Sequence, residues 1–160
     1  MADIVKTVPV FIASSLTELE EERLQLWKFF GNINQIYNAK GIQLNWTAPE
    51  NTSHEYVDDG SQSVFDQQIR DSQFFFLIIG KKLGKITRHE FDVALEQHKK
   101  TKFPVICAYF MPSEGGFPSD EAFAFRKYYK RNLKNYPTDC PHVDSIKLEI
   151  LLTLLRHIDF

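Results

Sequence analysis

The run FFFLII, Phe74–Ile79, restricts this chain more than any other stretch. Six consecutive apolar residues leave neither face of a strand for water, so the segment is buried on both sides and lies at the centre of a sheet. Three further short runs are apolar and β-rich: VPVFIA (Val8–Ala13), IQLNWTA (Ile42–Ala48) and PVICAYF (Pro104–Phe110). Pro9 lacks a backbone donor and suits the start of its strand better than the middle. The intervening stretches have helical period. Leu16, Leu19, Leu26, Phe30, Ile33 and Tyr37 mark one helical face, and Gly41 is the expected stop. Ser63–Ser72 turns Val64, Phe65 and Ile69 inward. Further helices are expected from Ile86 or Thr87 to about Lys100, over Ser119–Asn135, and over Asp144–Ile158. The last carries an apolar stripe of Ile146, Ile150, Leu151, Leu154 and Ile158. Strands alternating with helices, with one more short strand before the final helix, predict an α/β fold: a central parallel sheet of four or five strands with helices on both faces.

A length of 160 residues fits one domain spanning 1–160, open to being the N-terminal part of a longer protein. A formal net charge of −2 gives no general reason to bind nucleic acid or an anionic membrane. The 14 phenylalanines fall mostly in apolar runs, where core packing explains them. Cys107 and Cys140 do not suggest a disulfide framework, and Cys107 reads as a buried small hydrophobe. No signal peptide and no bilayer-length apolar run are visible, so a cytoplasmic location is expected. Nucleotide-binding glycine motifs and a Walker loop are absent. So are a G-x-S-x-G elbow and paired metal-ligand histidines: after His89-Glu90, positions 93 and 94 are Val and Ala. No metal is expected.

In a parallel sheet, ligands bind beyond the carboxyl ends of the strands, at a switch in strand order. Here that edge comprises Ser14–Ser15, the loop after Ala48, and Gly80 to Glu90. Thr87 and Glu90 stand three apart, as in a capping box, so Glu90 reads both as a helix cap and as a carboxylate aimed at the crevice. Ser15 and Glu18 form a similar pair. Ser14 and Ser15 are N-cap candidates at a helix N-terminus that is also a ready phosphate site. Trp46 is a core residue or a surface for stacking a base, and Asp58-Asp59-Gly60 a turn. FRKYYKRNLKNY (Phe125–Tyr136) reads as an amphipathic helix, with Phe125, Tyr128 or Tyr129, and Leu133 inward and its lysines and arginines solvated.

Together, VPVFIASSLTELEEER, SVFDQQIRDSQFFFLIIGKKLG and ITRHEFDVAL resemble the TIR-like domains of bacteria. The nearest likeness is to a group of unassigned function that opens many larger bacterial proteins. The shared pattern is Ser14-Ser15 at a strand end, the acidic start Leu19–Arg23, and the step Ile69–Ser72 into an apolar strand. Gly80–Gly84 and Thr87–Glu90 complete it. The resemblance covers about residues 8 to 110. It implies a flavodoxin-like sheet, a "BB loop" at Pro49–Ser63, and cleavage of the nicotinamide–ribose bond of NAD⁺, which is substrate rather than cofactor. Glu90 matches the position of the family's catalytic glutamate. The chain lacks the Ser-x-Trp-Cys-x-x-Glu run of animal and plant TIR domains, having Lys85-Ile86-Thr87-Arg88-His89-Glu90 instead. Ser14 and Ser15 are then expected near phosphate or ribose, with Trp46, Lys82 and Leu83 lining the pocket.

The implied role is the effector domain of a bacterial immune or signalling protein, active through self-association and joined to further domains. Two rivals are a non-catalytic interaction module of the same fold and a nucleoside 2-deoxyribosyltransferase-like enzyme. The strand end Ile78-Ile79-Gly80-Lys81-Lys82 lacks the aspartate that the transferase relies on.

Overall fold

A computed structural model describes residues 3–14, 19–47, 61–111, 119–133 and 138–158. Ten elements alternate along them: β1 (Lys6–Ser14), α1 (Glu20–Asn38), β2 (Ile42–Thr47), α2 (Ser61–Asp71), β3 (Phe74–Ile79), α3 (Lys85–Thr101), β4 (Val105–Phe110), α4 (Asp120–Asn132), β5 (Thr138–Asp139) and α5 (Val143–His157). The strands form one parallel sheet in the order β2-β1-β3-β4-β5. This is the flavodoxin-like, three-layer α/β fold, and its strand order reverses between β1 and β3.

All six residues of FFFLII are buried, and their alternation splits the core into two layers. Phe74, Phe76 and Ile78 join Val8, Val10 and Ile12 on one face, against Leu26, Phe30, Ile33 and Tyr37 of α1 and Ile146, Ile150 and Leu154 of α5. Phe75, Leu77 and Ile79 join Phe11 and Ala13 on the other, against Ile69 of α2, Phe91 and Ala94 of α3, and Phe125 and Tyr129 of α4. Each fully buried Phe, Leu or Ile contributes about 1.5–3 kcal/mol relative to exposure, so this central pair of strands anchors both layers.

Pro9 departs from expectation. It is the fourth residue of a nine-residue strand that lies between two others. Its carbonyl accepts from Gln73 N–H at 2.8 Å, on the β3 side. The N and C=O of one strand residue point the same way, so the missing donor also faces β3. There it falls below the first β1–β3 pair, Val10↔Phe74, and breaks no ladder bond. Gly41 closes the α1–β2 turn as expected. Its φ is +81°, and a Cβ there would lie 2.9 Å from the Asp3 carbonyl oxygen.

Cys140 is buried and Cys107 only partly so, which corrects the expectation of a buried Cys107. Cys107 pairs with Phe76 of β3, but on its other side it has no strand partner among the described residues, because β5 pairs only with Tyr109 and Phe110. No helix among the described residues is long and apolar enough to cross a membrane.

Candidate functional site

β1 ends at Ser14, in register with Ile78, at the point where strand order reverses. Ser14 is 7 % exposed, and its Oγ has no hydrogen-bond partner among the described residues. Glu90 is brought to the same edge by α3, which packs against β1.

The capping box expected of Thr87 and Glu90 does not form. α3 begins at Lys85, with Gly84 at the N-cap in an extended conformation and no side-chain cap. The first turn closes with Arg88 N–H donating to the Gly84 carbonyl at 3.0 Å. Nothing in Lys85-Ile86 opposes helix, and an earlier start lets Thr87, Glu90, Phe91, Ala94 and Leu95 share the buried face. Glu90 therefore occupies a core position in the second turn. It is 2 % exposed, and its Oε2 has no partner among the described residues. The Ser15–Glu18 pair lies outside the described residues; α1 begins at Glu20 with Leu19 at its N-cap.

A buried carboxylate without partners is costly, and the group responds by holding its proton. Burial first, then the negative charge of Asp66, push the Glu90 carboxyl up to about 8, while Arg23 opposes them. Arg23, in the first turn of α1, is only 6 % exposed. Burial draws its guanidinium below the usual arginine range, against the pull of Glu20 and Glu90. Its charge also lies over Trp27, 5.8 Å from the ring centre. From α2, the two Asp66 carboxylate oxygens stand 3.1 and 2.9 Å from His89 Nε2.

The other expected pocket residues are dispersed. Trp46 stacks on Phe30 at 5.7 Å, in the α1 layer, on the opposite face of the sheet from α3. Lys82 is exposed in the turn after β3. Leu83 lines a groove of about 510 Å³ between α3 and α4, with Arg88, His89, Phe125 and Tyr128. In that groove the Arg88 guanidinium covers Tyr128 at 4.6 Å and Phe125 at 5.0 Å. Ser15, residues 49–60 of the expected BB loop and the Asp58-Asp59-Gly60 turn lie outside the described residues, while Ser61–Ser63 open α2. In the basic-aromatic run, Phe125 and Tyr129 are buried and Lys127, Lys130 and Arg131 exposed, as an amphipathic helix requires.

Residues 9–135 match the family described as "Domain of unknown function (DUF4062)". The chain belongs to this family. No curated protein matches it. In this DUF4062 chain, Ser14, Arg23, Asp66, His89 and Glu90 all fall within the family span. Ser14 and Glu90 stand out in the sequence; Arg23, Asp66 and His89 do not. One signal was available for Arg23: it stands four after Leu19 and three before Leu26, a charged residue at a stripe position. Chemically, the edge holds a buried carboxyl whose burial favours the protonated form, and its Oε2 and the buried Ser14 hydroxyl have no hydrogen-bond partner among the described residues. A buried cation and a second carboxylate set its charge.

Proposed function

We propose that this DUF4062 chain is a TIR-like domain that cleaves the nicotinamide–ribose bond of NAD⁺. It would act as the effector domain of a bacterial immune or signalling protein. The observation that carries this reading is Glu90, a buried carboxyl at the switch point of a parallel sheet, one of whose oxygens has no partner among the described residues. A structural glutamate gains nothing from such a position, because an unsatisfied buried polar atom costs about 1–3 kcal/mol. A carboxyl awaiting a ligand does.

Loss of nicotinamide leaves an oxocarbenium-like ribose, the kind of transition state met in glycoside hydrolysis. The substrate brings its own positive charge on the pyridinium ring. That charge favours the ionised form of Glu90, whose proton passes to solvent. The C1′–N bond breaks with its electron pair going to nicotinamide, the carboxylate stabilises the ribosyl cation, and water adds at C1′ and gives up a proton. The leaving group departs neutral, so no general acid is required. Ser14 Oγ is the group that holds a ribose hydroxyl or phosphate oxygen. Self-association of the domain, and linkage to further domains, would raise the activity.

The test incubates NAD⁺ with wild type and Glu90→Gln at high protein concentration and separates the products by chromatography. Wild type releases nicotinamide, and Glu90→Gln is slower by about 10²–10³, the loss of one electrostatic contact in the transition state. If wild type releases none even when crowded, NAD⁺ cleavage is wrong and the interaction-module reading takes its place. Base exchange between nucleosides with NAD⁺ intact would point to the transferase.

A further inference from the structure

β5 is two residues long and pairs with Tyr109 and Phe110; beside the preceding part of β4 lies a cavity of about 200 Å³. Most of its polar groups come from three elements. Cys107 and Tyr109 stand two apart on β4 and so share one face of the strand. Glu149, Thr153 and Arg156 stand four and three apart on α5 and so share one face of the helix. Thr138 joins them from β5. In sheet order the cavity is separated from the β1–β3 switch point by β3 and β4 themselves, so it is a place distinct from the crevice of Glu90.

Its inner end has a polar atom that lacks a partner. Tyr109 is 2 % exposed, and its hydroxyl makes no hydrogen bond among the described residues. Cys107 and Thr153 lie beside it, with Cys107 Sγ 4.0 Å from Thr153 Oγ1. Burial pushes the Tyr109 hydroxyl above the usual tyrosine range, so it keeps its proton and remains a donor. Thr153 Oγ1 gives its own proton to the Glu149 carbonyl at 2.9 Å, which leaves its lone pairs as an acceptor.

The outer end carries two opposite charges. Arg156 donates Nε–H to the Leu152 carbonyl at 3.2 Å, a bond that folds the guanidinium back along α5 towards the turn of Glu149. Its terminal nitrogens have no partner among the described residues, and the half-buried Glu149 forms no ion pair among them. By contrast Asp139, next to Thr138, is held by both terminal nitrogens of Arg126. Seven residues of helix set Glu149 and Arg156 about 10 Å apart along the axis. The two charges thus bracket the hydroxyls instead of neutralising each other.

We infer that this cavity is a binding site for a small zwitterion of the α-amino-acid class. Arg156 takes the carboxylate through the open edge of its guanidinium. Glu149 takes the ammonium group, and the Tyr109 hydroxyl gains an acceptor at the buried end. Ordered water can satisfy a hydroxyl, but a zwitterion also pairs both charges.

The test uses the full chain without NAD⁺. Proton–nitrogen NMR and isothermal titration follow the addition of each standard α-amino acid, with acetate and methylammonium as single-charge controls. At least one amino acid is expected to shift the Tyr109, Thr138 and Thr153 amide resonances saturably, with a Kd of about 1 mM or below, while neither control does so at about 10 mM. Glu149→Gln and Arg156→Gln should each weaken binding about tenfold, the loss of one charge-assisted contact, and Tyr109→Phe about fivefold. If no amino acid shifts these resonances at about 10 mM, the cavity holds water and the inference is overturned. Shifts reproduced by acetate alone overturn it as well, as does an affinity unchanged in both charge variants. Should Tyr109→Phe fail to fold, Glu149→Gln and Arg156→Gln decide alone.

Discussion

At the scale of single residues, Glu90 dominates because it couples protonation to folding. Its carboxyl is pushed from an ordinary 4.5 to about 8, so the folded chain holds that proton more tightly than the unfolded chain does. The sign follows from linkage. Stability from this group is fully present below the unfolded value and is lost as pH rises through the folded one. Between about pH 5 and 8 its contribution falls by up to about 1.4 kcal/mol per pH unit. Glu90→Gln removes the proton. Its stability relative to wild type, measured by denaturant melts at pH 5, 6, 7 and 8, should therefore improve steadily with pH. A difference between the two chains that stays flat across that range would sink the buried-acid picture. The place of Glu90 on the helix after the central strand was legible in the sequence, but its buried environment was not. Arg23 and Asp66 lie on amphipathic helices, where a charged side chain ordinarily faces water. Only the interruption of the Leu19–Leu26 stripe hinted that Arg23 turns inward.

Strands and helix starts differ in how plainly the sequence marks them, for a physical reason. Runs such as FFFLII declare themselves because a doubly buried strand tolerates no polar position. Helix starts do not. The Thr-x-x-Glu spacing has the same form whether it caps a helix or fills two core positions inside one, and Gly84 offers no side chain to mark the true N-cap. What decided the matter was burial of the whole face from Thr87 to Leu95, a tertiary fact. The strands' dominance has a measurable counterpart. Phe76 is fully buried, stacked on Phe74 at 5.9 Å and on Tyr109 at 6.3 Å. Phe76→Ala should cost about 3–5 kcal/mol, by lost burial and the cavity left behind. Ile86→Ala, at a side chain 62 % exposed, should stay within about 0.5 kcal/mol. Equal costs at the two positions in urea melts would contradict the assignment of β3 as the core strand.

For the whole molecule, the controlling fact is that β1 and β3 serve both layers at once. Trp27 and Trp46 both pack with the α1 and α5 layer, so tryptophan fluorescence reports on that side. Far-ultraviolet circular dichroism reads the helices of both. Because alternate residues of the same two strands feed the two cores, the two signals should give one coincident urea transition. An earlier loss of helix signal with fluorescence unchanged would mean that α2, α3 and α4 melt as a separate unit. The alternation also bears on the proposed site. Ser14 follows Ile12 on the strand and so belongs by parity to the face of α1 and α5, whereas Glu90 arrives on a helix of the opposite face. The two buried polar atoms are thus carried by different layers joined through the shared strands β1 and β3, so a substitution in α5, on the far layer from Glu90, is expected to reach the crevice through those strands.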